Sequence, residues 1–177
     1  MSWSAVVLAG GRGSRLGGVD KASVVVGGRT LLDHVLDAVA LAERTVVVGP
    51  RKAGVPGVTW AREDPPGGGP VAGLAAGLAH VTTDLVVVLA VDQPGITRST
   101  VDRLLAAIGD TGAVLVDDEG RSQWLIGAWR TAALRRALPP DPRDASMRSV
   151  LGPLDAVPVT ARPGEARDVD TPRDLTP

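Results

Sequence analysis

The stretch Ala5-Val6-Val7-Leu8-Ala9-Gly10-Gly11-Arg12-Gly13-Ser14-Arg15-Leu16-Gly17-Gly18-Val19-Asp20-Lys21 decides the fold. Its four opening apolar residues read as a strand buried on both faces, as in a parallel sheet covered by helices. The strand breaks into a loop that holds five glycines and three cations between Leu8 and Lys21. Backbone amides and positive charge at a strand end make a cradle for phosphates. Outward from this stretch, short apolar runs recur at 44–48, 58–61, 85–89 and 113–116. Between them Leu31, Leu32, Val35, Leu36 and Val39 repeat at helical spacing, as do Val101, Leu104, Leu105 and Ile108. The alternation predicts an α/β fold, doubly wound around a mostly parallel sheet, in a single domain over residues 1–177.

The rest of the chain fits this frame. Pro70 occupies the first position of a helix over 70–78, and Gly73 and Gly77 then share one helical face. Residues 123–129 read as a strand and 129–138 as a short helix, which Pro139-Pro140-Asp141-Pro142 ends. A short αβ return closes the chain at Arg167-Asp168-Val169-Asp170-Thr171-Pro172-Arg173-Asp174-Leu175.

Composition narrows the function. The chain has 177 residues, 44% of them hydrophobic, and no cysteine, so a core is available without disulfides and a thiolate metal site is excluded. The absence of cysteine leads to the expectation of a cytoplasmic location, and no apolar run approaches the roughly 20 residues that span a bilayer. A net charge of −1 and the absence of Phe and Tyr argue against a nucleic-acid partner and favour a small molecule.

The glycine loop fits neither common phosphate fingerprint. A dinucleotide-binding G-x-G-x-x-G from Gly11 requires glycine where Leu16 stands, and a P-loop from Gly13 requires lysine where Val19 stands. Arg12, Arg15 and Lys21, spread along the loop, suit an extended triphosphate. Asp92 follows the run over 85–91, at the carboxyl end of a central strand, where open α/β sheets place their ligands. It either caps a turn or, with a second acid such as Asp170, meets the modest carboxylate demand of magnesium. Asp64, at another strand end, is either a cap or an acceptor for a base or ribose. Asp170 in Asp-Thr-Pro can equally start a helix. Trp124 and Trp129 pack a core or wall a pocket.

At these residues the chain resembles a known family. The loop over 8–21 is similar to the L-A-G-G-x-S-x-R-M-G-x-D-K signature of the nucleotidyltransferases, and within them to the molybdenum cofactor guanylyltransferases. Glu63-Asp64 ahead of Gly69-Pro70-Val71-Ala72-Gly73, then Val91-Asp92-Gln93-Pro94, then Asp168-Val169-Asp170-Thr171-Pro172 follow in the family's order. The Asp20-Lys21 ending resembles the guanylyl member more than the cytidylyl one, which usually lacks that acid. Departures are Leu16 for methionine, Val91 for cysteine, and Asp168 and Asp170 for asparagines.

The resemblance implies a Rossmann-like nucleotidyltransferase fold and transfer of GMP from GTP to the terminal phosphate of molybdopterin, with release of pyrophosphate. It implies backbone contacts to the nucleotide at Leu8, Ala9, Gly10 and Gly11, phosphate binding by Lys21, guanosine binding by Asp64, and nucleotide and magnesium binding by Asp92. Asp170 stands as a second metal ligand, and Arg15, Lys21 and Asp92 as the catalytic set. Arg121, Gln123, Trp124, Arg148 and the loop over 139–144 are candidates for the pterin pocket. Transient contacts with proteins that supply or receive the cofactor are also implied. A cytidylyltransferase, another nucleotidylyltransferase of small phosphates, and a non-catalytic nucleotide-binding protein are the alternatives.

Overall fold

The computed structural model describes residues 1–10, 19–169 and 172–175. Its chain order is β1 (Trp3–Leu8), a short hairpin of β2 (Val25–Val26) and β3 (Arg29–Thr30), α1 (Leu31–Ala38), β4 (Arg44–Val48) and β5 (Thr59–Ala61). Then come α2 (Pro70–Leu78), β6 (Leu85–Ala90), α3 (Arg98–Ala107), β7 (Gly112–Val116) and β8 (Ser122–Arg130). The chain continues through α4 (Thr131–Ala137), α5 (Met147–Leu151) and β9 (Val157–Thr160). Seven strands form one sheet in the order β5-β4-β1-β6-β8-β7-β9. Among the described residues β8 alone runs against the rest, pairing antiparallel with both β6 and β7. The expected α/β, mostly parallel architecture is therefore the one observed.

Alternation along the central strands explains the two layers. Ala5 and Val7 of β1 and Val87 and Leu89 of β6 face one way, onto Leu31, Val35, Val101 and Leu104 of α1 and α3. Val6, Leu8, Val86 and Val88 face the other way, onto Leu74, Leu78, Leu134 and Leu151 of α2, α4 and α5. Both faces are dry, so these strands carry no polar alternation. Trp129 is fully buried in the second layer, which makes it a core residue and not a pocket wall.

Helix α2 comes close enough to the sheet for its glycines to matter. A Cβ on Gly77 would lie 2.6 Å from Val6 Cγ1 and 3.0 Å from Val48 Cγ2, whereas one on Gly73 meets Leu8 and Val48 methyls at an ordinary 3.5 Å. Replacing glycine by alanine in a helix gains about 1 kcal/mol, but overpacking costs about 1–3 kcal/mol. Gly77→Ala is therefore expected to destabilise the protein and Gly73→Ala to stabilise it. Opposite shifts in the midpoints of their denaturant unfolding curves check this.

The chain leaves β1 to build β4 on one side of it and leaves β6 to build β8 and β7 on the other. The divergence opens a crevice between β1 and β6 at their carboxyl ends, the place where open sheets bind ligands. Leu8, Val48 and Ala90 stand level there, Leu8 in register with each of the other two. Among the described residues no helix is long and apolar enough to cross a membrane.

Candidate active site

The crevice is furnished by the residues that follow each strand. After β1, the Ala9 and Gly10 amides both donate to the Val48 carbonyl, at 2.8 and 3.0 Å. That crossing needs Gly49, whose φ is +152° and whose missing Cβ would sit 3.0 Å from the Gly10 nitrogen. Because both amides are spent, the carbonyls are what Ala9 and Gly10 offer a ligand. After β6, the Val91 amide donates to the Leu8 carbonyl at 3.1 Å and extends the ladder by one residue. Asp92 comes next, standing at the mouth of the crevice.

Lys21 reaches Asp92 from the β1 side. Asp20 caps a single 3-10 turn over Lys21–Ser23, its carboxylate accepting from the Ala22 amide at 3.1 Å. The Lys21 ammonium lies 3.3 Å from Asp92 Oδ2, with the two side chains 20% and 23% exposed. Enough of Asp92 is open to accept a cation, and Lys21 can turn to an incoming phosphate. Lys52, from the β4–β5 loop, pairs with Asp20 and donates to Ser23 Oγ at 2.8 Å, so a second cation fixes the turn that carries Lys21.

Hard oxygen donors of this kind suit magnesium, which takes one or two carboxylates and fills the rest of its shell with water and phosphate oxygens. Among the described residues no group of three His, Cys, Asp or Glu could cage a metal. Asp92 thus fits a cation that shares its coordination with the phosphates of a nucleotide.

Other sequence candidates fall elsewhere. Asp64 follows β5 at the edge of the sheet and is exposed, two strands from β1. Gly11, Arg15 and Asp170 lie outside the described residues. Arg121 sits on the β7–β8 turn, where Asp117 accepts from its amide and its Nε at 2.9 Å and Glu119 pairs with its Nη1 at 3.0 Å. The Arg121 amide, followed by the guanidinium, holds the Asp117 carboxyl below its ordinary value. A guanidinium bracketed by two acids is a poor anion receptor. Trp124 is half-buried, packed against the layer of α2 and α5, with its ring 4.0 Å from the position of a Cβ on Gly152.

Three residues to which sequence reasoning gave no role bear on the site. Lys52 is one; Gln93 and Glu165 are the others. Gln93 is buried and donates through Nε2 to Asp168 Oδ1 at 2.8 Å, and the Val169 amide donates to the Asp92 carbonyl at 2.8 Å. Glu165 is 5% exposed and accepts from Thr100 Oγ1, Arg103 Nη2 and the Arg162 amide at 2.6, 2.5 and 2.6 Å. Only the motif position of Gln93 hinted at any of this, since burial of a polar side chain is decided by tertiary packing.

Burial pushes the Glu165 carboxyl up, but the hydrogen bonds from Thr100, Arg162 and Arg103 outweigh it and leave the group below its ordinary 4.5. A depressed carboxyl stabilises the fold above its unfolded value and loses that contribution as pH falls through its folded value. Wild type is therefore expected to unfold at a higher temperature than Glu165→Gln at pH 7. The gap should narrow once pH drops below 4.5. Thermal melts of the two proteins between neutral and acid pH check it.

Comparison with known proteins adds to this geometry. The profile of the family described as MobA-like NTP transferase domain matches residues 5–157. The chain is 36% identical over 139 residues to the molybdenum cofactor guanylyltransferase of Acidiphilium cryptum, which covers 73% of this chain and 67% of that one. It is 34% identical over 126 residues to the molybdenum cofactor guanylyltransferase of Vibrio cholerae, covering 69% of this chain and 61% of the relative. The matched region thus spans about two thirds or less of these curated relatives' own length. Among solved structures, molybdopterin-guanine dinucleotide biosynthesis protein A of Archaeoglobus fulgidus shares the fold. Its TM-score is 0.72 at 23% identity, over 97% of this chain and 94% of that chain.

Proposed function

The chain belongs to the family of MobA-like NTP transferase domains, and on that premise we propose that it transfers GMP from GTP to the terminal phosphate of molybdopterin. The observation that carries the reading is the meeting of Lys21 and Asp92 at 3.3 Å across the crevice between β1 and β6. An ammonium and a carboxylate at that point serve a triphosphate and its cation, one each.

An oxygen of the acceptor phosphate attacks the α-phosphorus of GTP in line, the bond to the bridging β-oxygen breaks, and pyrophosphate leaves with that oxygen. A phosphate monoester has its second pKa near 6, so at neutral pH most acceptor is already the dianion and the protein needs no general base. The two histidines accord with this. The His34 ring bonds the Val26 carbonyl at 2.8 Å, and His80 follows α2 on the way to the start of β6, away from the carboxyl ends of the strands. Magnesium, when bound, would be held by Asp92 and would offset charge on the leaving pyrophosphate. Lys21 leaves its pairing with Asp92 for the phosphates, which frees the carboxylate at the moment the nucleotide arrives. Arg15 adds a second cation, and Asp170 a second carboxylate. Gly11 gives the loop room for phosphate.

Guanine presents N–H donors at N1 and N2 on one edge, and that edge calls for acceptors. The carbonyls of Ala9 and Gly10, whose amides are spent on Val48, and the carboxylate of Asp64 are of that kind. Leu8 extends the same backbone edge. Pyrophosphate release measured with molybdopterin, magnesium and each nucleoside triphosphate in turn tests the reading. Release with GTP is the expected result, release with CTP would transfer the activity to a cytidylyltransferase, and no release with any triphosphate would leave a nucleotide-binding protein.

A further inference from the structure

The segment after β9 returns across the molecule to the crevice, and one buried acid fixes its path. Glu165 gathers three donors from two pieces of chain: the first turn of α3 through Thr100 and the second through Arg103, and its own turn through the Arg162 amide. Thr100 is already committed to the start of α3, since its Oγ1 accepts from the Thr97 amide at 3.1 Å. The hydroxyl that caps α3 and the hydroxyl that anchors Glu165 are therefore the same atom. The return segment also lies hard against the loop between β6 and α3. A Cβ on Gly95 would stand 2.1 Å from the Gly164 carbonyl oxygen.

Three residues beyond Glu165 the segment meets the site. Asp168 accepts from Gln93, and the Val169 amide holds the Asp92 carbonyl at 2.8 Å. The backbone of Asp92 is thus pinned from the side opposite β1 by a segment that has few regular hydrogen bonds of its own. We propose that Glu165 is a positioning residue: by clamping residues 162–169 to the first turns of α3, it sets where the Asp92 carboxylate stands, and so how tightly a nucleotide-bound divalent cation is held. The inference rests on the proposed role of Asp92 toward magnesium.

Binding of a fluorescent GTP analogue to the whole chain, measured in saturating magnesium and again in EDTA, separates positioning from mere stability. Outer contacts to a metal ligand typically change metal affinity by about 10–100-fold. In wild type magnesium tightens binding. In Glu165→Gln that gain should fall about tenfold, while the affinity in EDTA stays as in wild type. Thr100→Val, which keeps the carboxylate but removes the shared hydroxyl, should show the same selective loss, and Thr100→Ser should restore the gain. A loss of stability alone leaves the magnesium gain of the folded protein unchanged. An undiminished gain in folded Glu165→Gln, or in Thr100→Val should the first variant not fold, overturns the proposal. Asp92→Asn serves as the reference. If it loses the gain and Glu165→Gln does not, the clamp alone is wrong; if Asp92→Asn keeps the full gain, the assignment of Asp92 to the cation falls and the clamp falls with it.

Discussion

Asp92→Asn is expected to lower kcat for GTP-dependent pyrophosphate release by about three orders of magnitude while leaving the melting temperature close to that of wild type. The substitution keeps the size and shape of the side chain. It also keeps the backbone carbonyl that accepts from Val169. The isosteric change preserves whatever packing this side chain makes, 23% of which is exposed. What goes is one negative charge, at the point where the described residues offer no cluster of three acids or histidines to hold the cation in its place. An amide oxygen is a far weaker ligand for magnesium than a carboxylate. Raising the magnesium concentration should therefore recover little of the lost kcat. Glu165→Gln behaves differently, because there the carboxylate survives and excess magnesium restores the rate. Steady-state kinetics across a magnesium series tells the two apart, and a near-normal kcat in Asp92→Asn would remove this carboxylate from the chemistry.

What the sequence disclosed depended on whether a residue's environment was set locally. The runs at β1, β4 and β6 were legible because strands wetted on neither face are continuously apolar, and α1 and α3 because their buried stripes have helical spacing. The direction of β8 was not, since nothing in 122–130 distinguishes a parallel from an antiparallel partner. Its direction follows from which edge the chain reaches after the turn at Asp117. Within the candidate site, the place of Asp92 at a strand's carboxyl end was legible from the apolar run before it, whereas the approach of Lys21 to within 3.3 Å of it was not legible from the motif that resembled a known signature. Which backbone group Ala9 and Gly10 present was not legible, because the capture of their amides by the Val48 carbonyl depends on a crossing that Gly49 permits. The surroundings of Arg121, a candidate for the pterin pocket, were not legible either, because they depend on the turn that folds Asp117 and Glu119 around it. Glu165 lies in a Pro163-Gly164 turn that reads as solvent-exposed, and only the packing of α3 against the return segment buries it.

Lys21→Ala should cost about 10²–10³-fold in kcat/KM, and its signature should be the reverse of that at Asp92. The turn that carries Lys21 is held by Asp20 and by Lys52, so the backbone around position 21 is expected to stay in place. Removing the ammonium leaves the Asp92 carboxylate without the partner 3.3 Å away that shares its Oδ2 in the absence of substrate. A cation no longer has to compete with that partner. The magnesium gain in GTP-analogue binding should therefore persist or grow, while turnover falls because a fixed positive charge is missing where the phosphates become more negative. Lys21→Arg should not rescue the rate, since a broad, planar guanidinium cannot occupy the place of a compact ammonium on the first residue of a short turn. Loss of turnover with retained magnesium coupling assigns Lys21 to the phosphates and Asp92 to the cation. Loss of both in Lys21→Ala would mean that the pair acts as one structural unit and that the division of labour between them is wrong.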